Sequence, residues 1–385
     1  MRKVLYLFSI IFYLTISNYA IAETYVLLTV DVESFDSGNP EKDIWGRLEG
    51  YDGEYGVPLI LNILQKNNTR ATFYLNVYEI AKFGEEKVKG IAGEIISHGQ
   101  DLQLHTHPSP IYGKEGMSSF NSSEQEKILR KGKKLIYEWT GKDVISHRAG
   151  NYLGNIDTIH ALKKVGICVD SSLCPVYSSP LFLESYRAND IVDIEGVLEI
   201  PITYFTQVKF MGWESLRFLD IESSSLRELK NVLDDMAEKG SCAINIMMHS
   251  FSITRYGYPD QRVVKKLDAL LKYINENPRL TATDTETFFN AYRENKLACY
   301  PHPEFVPHTG LVFTYLRSWE RFAASWKNVF VALSLPVLII ILTISLILLK
   351  RKKYIKGQNI EKESAPTDQK TKSWKFHFGF RFHDN

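Results

Sequence analysis

Between residues 24 and 274, short apolar runs rich in β-branched residues alternate with longer segments whose apolar positions recur at helical spacing. Residues 24–32 (TYVLLTVDV) and 71–76 (ATFYLN) read as buried strands, with a helix over 58–65 between them. Ser123 and Glu126 form a candidate capping box for a helix that turns Ile128, Leu129, Leu135, Ile136 and Trp139 to one side and ends at Gly141. A helix over 157–164 stops at Gly166, ahead of a short strand at 167–170. Ser225 and Glu228 cap another helix, with Leu226, Leu229, Val232, Leu233 and Met236 inward and Gly240 at its end. Residues 242–248 form a further buried strand, and Val263, Val264, Leu267, Leu270, Leu271 and Ile274 stripe a last long helix. Strands separated by helices predict an α/β fold with a mainly parallel sheet or barrel. Such folds carry their chemistry at the C-terminal ends of the strands.

Composition narrows the class without choosing a function. The chain has 385 residues, 44% hydrophobic and 24% charged, which excludes collagen-like, low-complexity and polytopic membrane sequences. A formal net charge of +1 gives no basis for nucleic-acid binding. Four cysteines are too few for a disulfide scaffold; Cys168 and Cys174, close in sequence, are a candidate pair or buried free thiols.

The near-neutral total hides an asymmetry: residues 23–349 are net −7 and residues 350–385 net +6. Two apolar runs flank the acidic body. Arg2 and Lys3 precede the first, and Ala20-Ile21-Ala22 supplies small residues at a cleavage position, so 1–22 reads as a signal peptide. The second, 329–349, is a 21-residue uncharged run followed at once by Lys350, Arg351, Lys352 and Lys353. Its length matches a membrane span despite Pro336. The basic flank predicts a cytoplasmic tail at 350–385. The expectation is a single-pass inner-membrane protein with an extracytoplasmic domain, a juxtamembrane stalk over 291–328, and a basic tail beside membrane lipid.

Candidate chemistry lies at the predicted strand ends. Asp31 and Glu33 share one face of the first strand while Val32 faces the other way. Two carboxylates so placed are costly unless they share a proton or a cation. His105 and His107, in Gln103-Leu-His-Thr-His, alternate with apolar or uncharged neighbours and project together, as metal ligands must; His98 is a third histidine nearby. Arg148 precedes the small pair Ala149-Gly150, which allows close backbone approach, and its guanidinium suits a carboxylate partner. His249 closes an apolar strand and suits proton transfer near neutral pH. Taken singly, each has an ordinary structural explanation: a solvated turn for the acids and for Arg148, and structural histidines for the rest.

In order, these segments resemble the polysaccharide deacetylases, the family with the NodB-type catalytic domain, over residues 24–290. Thr29-Val30-Asp31-Val32-Glu33 resembles its Thr-Phe-Asp-Asp motif, Ala71-Thr72-Phe73-Tyr74 its Ala-Thr-Phe-Phe strand, and residues 99–106 its Gly-His-Glu-Ile-Gly-Asn-His-Thr. Arg148-Ala149-Gly150 is similar to its Arg-x-Pro, Asp170-Ser171-Ser172 to the strand end that follows, and Met248-His249-Ser250 to its Leu-His. Two departures stand out: Val32 occupies the usual second Asp, and Ser109 the usual second His. Some relatives carry Asp-x-Asp, which points to Asp31 as base and Glu33 as ligand.

The resemblance implies a distorted (β/α)7-type barrel. It implies one divalent ion, with zinc expected, held by Glu33, His105 and His107, with His98 as the substitute for His107. Asp31 is then the general base, His249 the general acid, Arg148 the group that orients Asp31, and Asp170 the partner of His249. The implied activity is metal-dependent hydrolysis of an N-acyl group on an envelope or lipid-linked amino sugar. Trp213, Tyr204 and Phe205 are candidates for stacking on sugar rings. The rivals are a catalytically inactive membrane-anchored glycan-binding protein and a glycoside hydrolase using Asp31 and Glu33.

Overall fold

The computed structural model describes residues 23–34, 40–46, 53–177, 180–183, 188–255, 258–323 and 341–348. In chain order the strands are β1 (Thr24–Val32), β2 (Thr72–Asn76), β3 (Asp101–Thr106), β4 (Ser146–Ala149), β5 (Val169–Asp170), β6 (Val192–Ile194), β7 (Val197–Glu199), β8 (Tyr204–Phe210), β9 (Trp213–Phe218), β10 (Ala243–His249), β11 (Thr254–Arg255), β12 (Tyr258–Pro259) and β13 (Leu280–Thr283). The longer helices are α1 (Gly56–Lys66), α2 (Glu85–Ser97), α3 (Ser122–Thr140), α4 (Ile156–Val165), α5 (Leu226–Lys239), α6 (Gln261–Glu276), α7 (Thr285–Arg293) and α8 (Gly310–Ala323). The chain divides into two compact units, Met1–Arg317 and Ser318–Asn385.

The first unit is built on a nine-stranded sheet in the order β10-β1-β2-β3-β4-β5-β7-β6, with β13 also beside β1. All pairings are parallel except β6 with β7. Helices join the parallel neighbours, as the alternating pattern predicts. The pleat of β1 sorts its side chains. Val26, Leu28, Val30 and Val32 enter the main hydrophobic core with α1, α2 and α3. Thr29 and Asp31 point to the opposite face, where Thr29 Oγ1 donates to Asn245 Oδ1 of β10 at 2.9 Å.

The sheet curls strongly. Arg148 of β4 reaches Asp31 of β1 at 2.6 Å, although β2 and β3 lie between them in the sheet. Three strand spacings in a flat sheet cover about 14 Å, beyond the reach of these two side chains together. The curl stops short of a closed barrel. Seven parallel strands run from β10 to β7, and the chain after β7 crosses to β10 as irregular backbone. There Thr203 N–H donates to Asn245 O at 3.2 Å and Asn245 N–H to Thr203 Oγ1 at 2.9 Å. Where a (β/α)7-type barrel was expected, the sheet is an open half-barrel.

Local differences have local causes. Helix α3 begins earlier than its apolar stripe suggests: the capping box is Asn121 with Glu124, at 3.0 and 2.9 Å, rather than Ser123 with Glu126. The sequence Asn-Ser-Ser-Glu-Gln-Glu offers two overlapping capping frames, and buried Gln125 selects the first by donating to Phe120 O. The box at Ser225 and Glu228 forms as read. The β8–β9 hairpin, unmarked by apolar alternation, turns on Met211 and Gly212, both left-handed at φ 47 and 82.

The transmembrane helix expected at 329–349 is not supported. Among the described residues, no helix is long and apolar enough to cross a membrane. Of that span only 341–348 is described, as a helix. Residues 329–340 and 349 lie outside the described residues, as do the expected signal peptide at 1–22 and the tail at 350–385. The single-pass inner-membrane placement rested on that helix and is withdrawn with it.

The stretch read as a stalk contributes to the first unit as far as Arg317, which pairs with buried Glu228 at 3.0 Å. Pro307 O accepts from Thr206 N–H at 2.8 Å. Cys299 forms a disulfide with Cys242 at the start of β10, so the candidate pair Cys168 and Cys174 is not the one that is bridged. The pairing is one of tertiary neighbours, 57 residues apart. A cross-link closing a loop of that size is worth about 2–4 kcal/mol. Cys299→Ala should lower the unfolding free energy by about that amount, read as a drop in denaturant midpoint. A non-reducing peptide map should find Cys242 joined to Cys299.

Candidate functional site

Parallel register brings the candidate residues to one end of the sheet. Asp31 lies opposite His249 on β10 and Tyr74 on β2, Asn76 opposite His105, and His105 opposite Arg148. A cavity of about 430 Å³ opens there, lined by Asp31, Glu33, His105, His107, Glu222 and His249 among others.

Glu33, His105 and His107 each offer one atom to a cluster whose donors all lie within 4.8 Å of one another. Glu33 Oε2 is 2.8 Å from His107 Nε2 and 3.3 Å from His105 Nε2. His105 Nδ1 lies 2.9 Å from the carbonyl of Arg148, which can only accept, so Nδ1 carries the proton of the neutral ring. That leaves His105 Nε2 as a bare lone pair; it is buried and has no hydrogen-bond partner. Donors around a tetrahedral ion with bonds of about 2.0–2.1 Å sit about 3.3 Å apart. Two imidazoles and a carboxylate at this spacing, one nitrogen orphaned, fit a first-row divalent ion.

Electrostatics agree with a site made for positive charge. Burial favours the neutral acid of Glu33, yet His107 and His105 hold its carboxyl well below the usual range. Burial pushes His107 down, but Glu33 and Glu115 bring it up to about 10.

Asp31 sits beside this cluster and is tied to Arg148, which is fully buried. The guanidinium donates to Asp31 Oδ1 at 2.6 Å, to Thr29 Oγ1 and Ser171 Oγ at 2.9 Å each, and to Ser171 O at 3.2 Å. Its plane lies over the Tyr74 ring, 4.3 Å from the centroid. His249 stands on the other side of Glu33, with Nε2 3.5 Å from Glu33 Oε1 and Nδ1 2.8 Å from Glu222 Oε1. Burial lowers the His249 pKa, but the hydrogen bond and charge of Glu222, with Glu33 and Asp31 behind it, raise it to about 9. Phe251 stacks on its ring at 4.5 Å.

Most of the predicted residues converge, and some do not. Asp170 does not hold His249: its Oδ1 lies 2.8 Å from His147 Nδ1 and accepts from Ser172 Oγ at 2.9 Å. The partner of His249 is Glu222, in the segment between β9 and α5, where an acid ahead of a capped helix gives no sequence signal. His98 is exposed at the end of α2, its Nδ1 2.8 Å from Glu94 O, apart from the cluster. Tyr204 and Phe205 are buried, and Trp213, 62% exposed, does not line the cavity. Its aromatic lining includes Tyr152, stacked on Tyr177 with centroids 5.4 Å apart, and Phe218, tilted against Tyr177 at 5.2 Å.

Comparison with known proteins gives an independent view. A protein from Mycobacterium smegmatis described as a polysaccharide deacetylase is similar in structure, with a TM-score of 0.52 and 19% identity. The match covers 74% of this chain and 95% of that one, and it shows a shared fold. Further matches include a family 4 carbohydrate esterase from Streptomyces lividans (TM-score 0.38, 13% identity, covering 68% of this chain and 92% of that one). Another is the peptidoglycan deacetylase PdaC from Bacillus subtilis (0.38, 11%, 71% and 94%). No curated protein matches the chain. The family resemblance carried by the motifs is borne out, for residues 26–169 match the family model described as polysaccharide deacetylase.

Proposed function

We propose that this chain is a metal-dependent deacylase that hydrolyses the N-acyl group of an amino sugar in a glycan. The observation that carries the reading is the convergence of Glu33, His105 and His107, with the orphaned His105 nitrogen, between Asp31–Arg148 and His249–Glu222. The match of residues 26–169 to the polysaccharide deacetylase family supports the reaction class. An acetyl group is the expected acyl group, and zinc the expected ion.

The three clustered side chains would hold one divalent cation, which when bound acidifies a water and polarises an acyl carbonyl. Arg148 fixes Asp31 so that the carboxylate faces the cavity as general base. Asp31 takes a proton from the attacking water as the new C–O bond forms. His249 gives a proton to the leaving nitrogen as the C–N bond breaks. Glu222 holds the His249 ring through Nδ1, so Nε2 is the atom that delivers the proton. Tyr177 and Phe218 offer flat apolar faces for a sugar ring. The glycosidase alternative is disfavoured, because Asp31 is committed to Arg148 and Glu33 to two imidazoles, so the two acids do not flank a common bond.

Three outcomes are expected. Incubation with an N-acetylglucosamine oligomer should release acetate and leave the chain length intact; chelation should abolish release, and added divalent ion should restore it. A metal-loaded protein that binds the oligomer without releasing acetate would make it a glycan-binding protein instead. Asp31→Asn should retain the ion, measured by elemental analysis, while turnover falls by about two to four orders of magnitude. Glu222→Gln removes the charge that raises His249, whose acid form is lost as pH rises through its pKa. The alkaline limb of the pH–rate profile should therefore move to lower pH, and an unmoved limb would remove His249 as the acid.

A further inference from the structure

We infer that Gly150 is a positioning residue for His107, because its missing Cβ is the space in which the imidazole lies. A Cβ at residue 150 would stand 2.5 Å from His107 Cε1 and 2.6 Å from both Cδ2 and Cγ. The ring is therefore laid flat against the backbone where β4 ends. Gly150 is not among the left-handed glycines; the positive φ values belong to the next two residues, Asn151 and Tyr152. The requirement at 150 is thus for space and not for an unusual torsion. This rests on the reading of Glu33, His105 and His107 as ligands and adds a residue outside that set.

The ring has little freedom to yield. Its Nε2 is held 2.8 Å from Glu33 Oε2, and the His105 ring meets it at a steep angle with centroids 4.9 Å apart. Glu115 Oε2 stands 3.8 Å from Nδ1. Ordinary carbon contacts are about 3.5–4.0 Å, so a methyl group at 150 must displace the ring by about 1 Å. Ligand distances at a metal site tolerate only about 0.2 Å. The shift therefore exceeds the tolerance several-fold, and a turned ring takes Nε2 off the cluster. Sequence reading takes the Ala149-Gly150 pair as room for a ligand; here the occupant is a side chain of the protein itself.

The test is a cobalt(II) titration, followed by visible absorption, of the full chain and of G150A, H107A and H107A/G150A, with the melting temperature of each metal-free protein. G150A should bind cobalt about 10–100-fold more weakly than the unsubstituted chain, as when a group supporting a ligand is lost, with its metal-free melting temperature unchanged. The double variant should bind no more weakly than H107A, since the clash leaves with the ring. Equal affinity of G150A and the unsubstituted chain would overturn the inference, and so would losses that add in the double variant. If G150A fails to fold, H107A/G150A should fold; failure of both would show that glycine is needed for another reason. If the unsubstituted chain takes up no cobalt while folded, the ligand reading itself fails, and this inference with it.

Discussion

The buried pair of Arg148 and Asp31 ties the site to the fold. A guanidinium taken wholly out of water loses several kcal/mol of hydration, and it is retained only where its donors are matched. Here they meet Asp31, Thr29 and Ser171, contributed by β1 and by the segment after β5, while Arg148 itself ends β4. These groups meet only because the sheet curls, so the pair locks the curl that creates the cavity. The carbonyl of the same residue accepts from His105 Nδ1 and turns the other nitrogen towards Glu33. One residue thus sets the orientation of a carboxylate through its side chain and of an imidazole through its backbone.

Charge at the mouth of the half-barrel is arranged so that each carboxylate meets a nitrogen partner, with Glu33 shared among three imidazoles. Asp31 faces Arg148, Glu33 faces His105 and His107, and Glu222 faces His249. Two carboxylates two residues apart on one strand would otherwise repel and share a proton. Different partners keep the two apart, with Asp31 held by Arg148 and Glu33 by the two imidazoles of the cluster. The cost of burying so many polar groups is offset by their mutual hydrogen bonds, consistent with a wall where few substitutions are neutral. Asp170, Glu199 and His147 form a second buried network behind it. Burial and the charge of Asp170 push the Glu199 carboxyl well above its usual range, and none of the three lines the cavity.

Much of the architecture was legible in the residues, for a physical reason. Period-2 and period-3.6 apolar patterns report which face of an element is buried, so β1, β2, β10, α5 and α6 could be read from the sequence. The alternation in Asp31-Val32-Glu33 and in His105-Thr106-His107 also placed each pair on a common side. Pairings between distant segments were not legible. Glu222 reaches His249 across 27 residues, Cys242 finds Cys299 across 57, and Asp170 turns to His147 instead of His249.

The sequence by itself determined the strand–helix order, the face each side chain takes on its strand, and the residue types available for metal and proton chemistry. These follow from local sterics and burial, which a short window of residues contains. The tertiary structure decided which of those residues share a cavity, which nitrogen of His105 is left bare, and that residue 150 must carry no side chain beneath His107. Those outcomes depend on the curl of the sheet, which is set by contacts among residues far apart along the chain.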